Sequence, residues 1–322
     1  LYNRGRNQRK SIMFKLKNIL GTQCLTEDDI TTILDTVDSF KEISTRPIKK
    51  VPTLRGKTVI NLFFEPSTRT RTSFEIAGKR LSADVINIVG SSSSTVKGEN
   101  LIDTALNLEA MHPDIMIVRH ALSGAAEMIS QFIECPIINA GDGYHEHPTQ
   151  ALLDLYTIRE SKRNLEGLNV VIVGDIAHSR VVRSNIYAMK TMGMNVKLIG
   201  PPTMIPLEIE KMGVSVGYYL EDAIPNADVI MILRLQKERQ SKYLLSSIRE
   251  YSNLYCLTSK FLEKAKDDVL IFHPGPINRG IEISLDVMQS DRSLILNQVT
   301  NGVALRMALM YLVLGGNNDR TN

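Results

Sequence analysis

The stretch Phe63-Phe64-Glu65-Pro66-Ser67-Thr68-Arg69-Thr70-Arg71-Thr72-Ser73 decides which fold this chain can adopt. An apolar run, residues 58–64, ends there in hydroxyl and guanidinium groups, and an apolar spacing typical of a helix follows from Phe74. Serine and threonine cap the first N–H groups of helices, and those N–H groups, together with the helix dipole, bind anions. Arg69 adds a planar guanidinium suited to phosphate oxygens. The stretch therefore predicts a phosphate site at a helix start, although a plain N-cap before a solvated basic face would use the same residue types.

Short apolar runs recur on both sides of this stretch, with helical spacers between them. In the first half they are residues 58–64, 85–89, 115–118 and 136–139; in the second half they are 170–173, 196–199, 214–219, 229–233 and 269–272. Strands that alternate with helices in this way are typical of parallel sheets built from βαβ units. A chain of 322 residues is long enough for two domains. We therefore predict an α/β protein of two domains, each a parallel β-sheet flanked by helices.

Helix signals suggest where these domains begin and end. Thr26 precedes acidic residues and an apolar stripe typical of a helix. Residues 148–160 predict a helix that bridges the two halves of the chain. Residues 299–314 predict a long apolar helix. Residues 1–12 are basic and polar, which favours a disordered tail or an artificial extension before a native start at Met13. We expect a first domain at 13–147, a second at 148–298 and a C-terminal helix at 299–314 that packs back on the first domain.

Composition excludes several classes of protein. The net charge is +3, aromatic residues are 6% and tryptophan is absent, so neither a basic binding face nor stacking platforms for nucleic acid are expected. No apolar run approaches the roughly 20 residues that cross a bilayer. The three cysteines are scattered and odd in number, which argues against a disulfide framework and favours the cytoplasm. No Cys/His cluster predicts a metal, and Gly174 lacks the glycine spacing of a dinucleotide turn, so no cofactor is expected.

Polar and charged residues follow six of the predicted strands. In open parallel sheets, ligands bind beyond the carboxyl ends of the strands, so these segments predict an active site in the cleft between the two domains. The segments are 67–70, 119–120, 142–147, 175–180, 234–236 and 273–276.

These segments, taken in order, resemble the family of aspartate and ornithine carbamoyltransferases, and within it the aspartate branch. The resemblance runs from Met13 to about Leu314. The motifs that carry it are Ser67-Thr68-Arg69-Thr70, Lys97-Gly98-Glu99 after a serine run, Val118-Arg119-His120, His147-Pro148-Thr149-Gln150, Arg180, Arg234-Leu235-Gln236 and His273-Pro274-Gly275-Pro276.

The resemblance implies a role for each matching residue. The implied catalytic residues are Arg69, Thr70, Lys97, Arg119 and His147. The residues implied to bind carbamoyl phosphate are Ser67, Thr68, Arg69, Thr70, Ser93, Lys97, Arg119, His147, Gln150, Gly275 and Pro276. The residues implied to bind aspartate are Lys97, Arg180, Arg234 and Gln236. A site for a dianionic phosphate and two carboxylates must be dense in fixed positive charge, which these residues supply.

Several of these residues have simpler explanations. His147 precedes Pro148 and could cap the following helix, Arg180 could be an exposed helix-start residue, and Lys97 could be a solvated loop lysine. Within residues 91–94 the spacing to Lys97 favours Ser93, without excluding its neighbours. The contact that Gln150 makes with the carbamoyl amide could be that of an acceptor or of a donor.

The implied function is transfer of the carbamoyl group of carbamoyl phosphate to L-aspartate in pyrimidine biosynthesis. Ornithine is the rival substrate, but Arg234 and Gln236 suit a second carboxylate and not an ammonium group. A catalytically inactive scaffold is the alternative from another class. The resemblance also implies a homotrimer with active sites shared between neighbouring chains, and leaves open further assembly with regulatory chains or with dihydroorotase. No nucleic acid or membrane partner is expected.

Overall fold

The computed structural model of the protein describes residues 14–90, 100–236, 245 and 247–315. The expectations for residues 1–12, Ser93 and Lys97 therefore lie outside the described residues. Within them, the prediction of two parallel sheets flanked by helices is confirmed.

The first sheet contains four parallel strands in the order β2-β1-β3-β4. They are β1 (Thr58–Phe63), β2 (Asp84–Val89), β3 (Ile115–His120) and β4 (Ile137–Asp142). All four lie where the apolar runs predicted them. The chain leaves β1 toward β2 and returns on the other side to β3, so a crevice opens beyond the carboxyl ends of β1 and β3.

The second sheet contains five parallel strands in the order β7-β6-β5-β8-β9. They are β5 (Asn169–Val173), β6 (Asn195–Ile199), β7 (Ser215–Gly217), β8 (Val229–Ile232) and β9 (Leu270–Phe272). The strand predicted at 214–219 is shorter and ends at Gly217, because its pairing partner β6 ends opposite it at Ile199 and two prolines, which cannot donate to a sheet, follow at 201 and 202. The order reverses between β5 and β8, which places a second crevice beyond their carboxyl ends.

Helices cover both sheets. Their bounds are α1 (Glu27–Thr45), α2 (Thr68–Arg80), α3 (Leu101–Glu109), α4 (Ala125–Ser130), α5 (Pro148–Lys162), α6 (Arg180–Thr191), α7 (Leu220–Ala223), α8 (Ile248–Tyr255), α9 (Ser259–Leu262), α10 (Leu285–Met288) and α11 (Ile295–Gly315). Helix α1 begins at the predicted cap: Thr26 and Asp29 form a reciprocal capping box, and its buried stripe runs from Ile30 to Phe40.

Helices α5 and α11 hold the two sheets together. The first eleven residues of α5, Pro148 to Ile158, are all buried. Helix α11 packs against α1, α2 and α5, and it begins at Ile295, four residues before the predicted start. Burial from both sides explains why the apolar residues of α5 and α11 are not confined to one face.

No helix in the described part of the chain is long and apolar enough to span a membrane.

Candidate active site

A cavity of about 510 Å³ lies where the carboxyl ends of the strands in the two sheets face each other. All the described residues that the sequence predicted for the site line it. They are Ser67, Thr68, Arg69, Thr70, Arg119, His147, Gln150, Arg180, Arg234, Gln236, Gly275 and Pro276. These residues come from both halves of the chain, and the cavity brings them together.

The lining of the cavity is strongly basic. Five arginines line it, and Glu65 is the one carboxylate among its described lining residues. Guanidinium groups this close together repel one another, and burial adds a desolvation cost. Both effects lower the pKa of Arg69, burial more than the neighbouring Arg234. An anionic ligand would relieve the repulsion, so the arrangement is suited to anions.

The predicted phosphate segment forms the first turn of α2. Ser67 occupies the N-cap position, but its side chain makes no capping hydrogen bond, so the plain capping role considered for it is not found. Its hydroxyl and the first N–H groups of α2 therefore remain available to a ligand. The Arg69 guanidinium lies against Gly275: a Cβ built on Gly275 would lie 3.0 Å from Arg69 Cζ. The helix that follows the first sheet thus contacts the loop that follows the second sheet at this point.

Glu65 joins two arginines that the sequence places 61 residues apart, Arg119 and Arg180. Arg180 Nη2 donates to Glu65 Oε1 at 2.8 Å, and Arg119 Nε lies 3.2 Å from Glu65 Oε2. Arg119 Nη1 also donates to the carbonyl oxygen of Ala140 at 3.0 Å. Arg180 is buried, so it is not the exposed helix-start residue that was its simpler explanation. Paired guanidinium groups with fixed orientation make a preorganised donor set.

His147 lies at the N-cap position of α5, but its side chain makes no capping hydrogen bond. Its backbone N–H donates instead to Ser184 Oγ at 2.7 Å. Burial lowers the pKa of His147 well below its ordinary value, and Arg119, Arg306 and Arg180 lower it further. The imidazole is therefore neutral near pH 7, and it can donate a hydrogen bond without adding charge.

We expect the free energy of unfolding to fall as the pH drops from about 6.5 toward 5. His147 and His273 both have a lowered pKa in the folded protein, chiefly because they are buried, so the unfolded chain binds protons there that the folded chain does not. Their stability contribution is thus present above the unfolded pKa and is lost on acidification, by up to about 1.4 kcal/mol per pH unit for each histidine. Asp154, whose pKa burial raises to about 7, offsets one of the two histidines, because the folded chain binds a proton there that the unfolded chain does not, and the net effect is still a fall. Urea unfolding at pH 8, 6.5 and 5.5 measures the slope. His147→Gln should reduce this slope by the equivalent of about one bound proton. An unchanged slope would contradict a lowered pKa for His147.

The second sheet contributes residues that follow β8 and β9. Arg234 and Gln236 come directly after β8, and Gln236 Nε2 donates to the carbonyl oxygen of His178 at 3.1 Å. The loop after β9 is held by His273, whose Nδ1 accepts from the backbone N–H of Gly275 at 2.8 Å. Gly275 has a φ of 65°, a conformation that glycine adopts without strain.

Sequence reasoning missed Arg306, Gln298 and Asp154. Arg306 lies on α11, lines the cavity and donates to Ser73 Oγ at 3.0 Å, with its guanidinium 5.0 Å from the centroid of the Phe74 ring. Burial lowers its pKa to about 10. Arg306 is the one charged residue of α11 and could have signalled the site, because a buried charge needs partners. Gln298 and Asp154 carry no comparable signal in the sequence.

Two family models cover most of the chain. One, described as the carbamoyl-P binding domain of aspartate/ornithine carbamoyltransferase, matches residues 17–160. The other, described as the Asp/Orn binding domain of the same enzymes, matches residues 166–313. The aspartate carbamoyltransferase catalytic subunit of Syntrophus aciditrophicus is 60% identical over 302 residues, 94% of this chain and 98% of that protein. The corresponding subunit of Desulfotalea psychrophila is 58% identical over 95% of this chain and 96% of that protein.

Solved structures give the same result. The aspartate transcarbamoylase of Trypanosoma cruzi in complex with carbamoyl phosphate superposes with a TM-score of 0.86 at 29% identity, covering 94% of this chain and 97% of that one. The ornithine carbamoyltransferase of Pyrococcus furiosus has a TM-score of 0.81 at 29% identity, covering 93% and 97%. With its basic cavity between two parallel sheets and both family models matched in order, the chain belongs to the aspartate/ornithine carbamoyltransferase family.

Proposed function

We propose that this protein transfers the carbamoyl group of carbamoyl phosphate to the α-amino group of L-aspartate. The products are N-carbamoyl-L-aspartate and phosphate, the step that these enzymes catalyse in pyrimidine biosynthesis. The observation that carries the proposal is the cavity itself, in which the arginines of both sheets converge. The relatives at about 60% identity are aspartate carbamoyltransferase catalytic subunits, and a T. cruzi structure holds both carbamoyl phosphate and aspartate.

The first sheet supplies the groups proposed to hold carbamoyl phosphate. Ser67 to Thr70 bind the phosphate through hydroxyls, backbone N–H groups and the Arg69 guanidinium. Thr70, Arg119 and His147 donate to the carbamoyl oxygen and stabilise the oxyanion that forms when the amine attacks. The proposed roles of Ser93 and Lys97 concern residues outside those described.

The second sheet supplies the groups proposed to hold aspartate. Arg180, Arg234 and Gln236 bind its two carboxylates, and the backbone around Gly275 and Pro276 orients the reacting amino and carbamoyl groups. No covalent intermediate is needed, because positioning two reactants can supply roughly 7–11 kcal/mol of the barrier reduction. Two carboxylates of one small molecule match the two separate arginines better than the ammonium side chain of ornithine would.

Each of the two proposed domains is assigned one substrate. We assign carbamoyl phosphate to residues 13–147 and aspartate to residues 148–298, with residues 299–314 packing back on the first domain. The packing of α11 against α1 and α2 supports that last assignment.

The three cysteines, none of them in a disulfide, support a cytoplasmic location.

Assaying the purified chain with carbamoyl phosphate and either aspartate or ornithine tests the proposal. We expect phosphate release with aspartate and none above background with ornithine. Turnover with ornithine would make it the substrate. Absence of turnover with both, in a protein that still binds carbamoyl phosphate, would favour an inactive scaffold.

We also propose that the protein is a homotrimer whose active sites are shared between neighbours. The family resemblance supports this, with Lys97 of one chain serving the site of the next. Arg69→Ala and Lys97→Ala should each be inactive, whereas mixed trimers contain one intact site each. Random equal mixing makes about three quarters of the trimers mixed, so about a quarter of wild-type activity should return in a closed three-fold assembly. If the remixed variants stay trimeric and regain nothing, the sites are not shared.

A further inference from the structure

A buried carboxylate, Asp154, lies directly behind the wall of the cavity. It is one helical turn after Gln150 on α5, and its side chain is inaccessible to solvent. Gln150 Nε2 donates to its Oδ1 at 2.9 Å, and Gln298 Nε2 donates to the same oxygen at 2.7 Å. Asn185 Nδ2 donates to Oδ2 at 3.0 Å. Gln150 and Gln298 both line the cavity, so Asp154 touches the cavity only through other side chains.

Two of these three amides have their orientation set by the backbone. Gln298 Oε1 accepts from the backbone N–H of His273 at 3.0 Å, so its nitrogen must face Asp154. Asn185 Nδ2 also donates to the carbonyl oxygen of Val181 at 3.0 Å, so its nitrogen is likewise the donor. Asp154 therefore accepts at both oxygens, as an ionised carboxylate does. Burial raises the pKa of Asp154 to about 7, so the carboxylate is ionised above that pH.

Gln150 is the one amide of the three that has no hydrogen bond to the backbone among the described residues to set its orientation. When its nitrogen donates to Asp154, its oxygen is the atom left for the cavity. The carbamoyl amino group is a hydrogen-bond donor, so an amide oxygen pairs with it, whereas an amide nitrogen would meet it donor to donor. A buried donor left without an acceptor is costly, so this orientation matters for binding.

We propose that Asp154 is a positioning residue that keeps the amide oxygen of Gln150 turned toward the carbamoyl amino group. Gln150 is then an acceptor, and the pair selects carbamoyl phosphate over acyl phosphates that lack this N–H. The inference rests on the proposed function, because it needs carbamoyl phosphate in the cavity. Acetyl phosphate, in which a methyl group replaces the amino group, is the matched probe.

The test compares wild type with Asp154→Ala at pH 8, where Asp154 is ionised. Selectivity is measured as the inhibition constant of acetyl phosphate divided by the KM of carbamoyl phosphate. Without its anchor Gln150 can turn either way, so we expect selectivity to fall about tenfold while acetyl phosphate binding changes less than about twofold. Asp154→Asn keeps the volume but leaves one acceptor oxygen for three donors. Its selectivity should fall about threefold, and it serves as the test if the alanine variant does not fold.

A second substitution separates positioning from packing. Gln150→Glu places only oxygens at the cavity, so in the Asp154→Ala background it should restore selectivity. With Asp154 in place the same change puts two carboxylates one turn apart and should lower selectivity. Thr157→Val is the structural control: Thr157 lies on α5, accepts from Asn301 Nδ2 at 3.0 Å and does not line the cavity. We expect it to lower the melting temperature and leave selectivity unchanged.

The outcomes distinguish this inference from the proposed function. Wild type that shows no carbamoyl transfer contradicts the proposed function. An active wild type in which Asp154→Ala weakens both acyl phosphates equally, or leaves their ratio unchanged, overturns the positioning role alone. Failure of Gln150→Glu to raise selectivity in the Asp154→Ala background overturns it as well.

Discussion

Arg119→Ala is expected to lower kcat by about 10²–10³-fold, because it removes a donor that we propose stabilises the oxyanion formed during carbamoyl transfer. Protein contacts orient this guanidinium: Glu65 Oε2 lies 3.2 Å from Nε, and the carbonyl oxygen of Ala140 accepts from Nη1 at 3.0 Å. An interaction made mainly in the transition state lowers kcat more than it raises KM when it is removed. Steady-state kinetics with both substrates varied measure the effect.

Arg159→Ala is the matched control for this substitution. Arg159 also pairs with carboxylates, at 2.7 Å from Asp35 and 3.3 Å from Asp38, but it does not line the cavity. We expect the turnover of this variant to stay within about twofold of wild type. The substitution removes no group from the cavity, and an exposed ion pair contributes little to the stability of the fold. The Arg119 variant should still fold, because Glu65 keeps Arg180 as a partner. A rise in KM at unchanged kcat would show that Arg119 serves ground-state binding only.

Arg234→Ala is expected to raise the KM for aspartate about 100-fold or more. The Kd of carbamoyl phosphate should stay nearly unchanged, because this substrate has no carboxylate. A guanidinium that binds a carboxylate with two hydrogen bonds contributes several kcal/mol, and about 1.4 kcal/mol corresponds to each factor of ten. Arg234 follows β8 of the second sheet, whereas the proposed phosphate groups follow β1 and β3 of the first. Steady-state kinetics for aspartate and calorimetry for carbamoyl phosphate separate the two effects.

Arg234→Lys is the companion variant, since it keeps the positive charge and loses the planar fork. We expect it to lie between wild type and Arg234→Ala in its aspartate KM. Equal loss of affinity for both substrates would mean that Arg234 supports the fold of the cavity instead.

The order of strands and helices could be predicted from the sequence because its signals are local. Apolar runs with helical spacers located every strand of both sheets, and Thr26 marked the start of α1. The polar segments after the strands also predicted the cavity, because the carboxyl ends of parallel strands share one edge of a sheet. For that reason every predicted site residue that the structure describes lies in the cavity lining.

Only the tertiary structure decided how those residues are held. Arg180 and Glu65 are 115 positions apart, Gln298 and Asp154 are 144 apart, and Arg306 and Ser73 are 233 apart. No local pattern encodes such contacts, since the packing of α11 between α2 and α5 brings Arg306 and Gln298 to the cavity. The side chains of Ser67 and His147 make no capping hydrogen bond, a result that the sequence pattern alone could not decide. Residue types and their spacing along the chain thus located the site, whereas the charges and amide orientations within it depend on partners that only folding brings together.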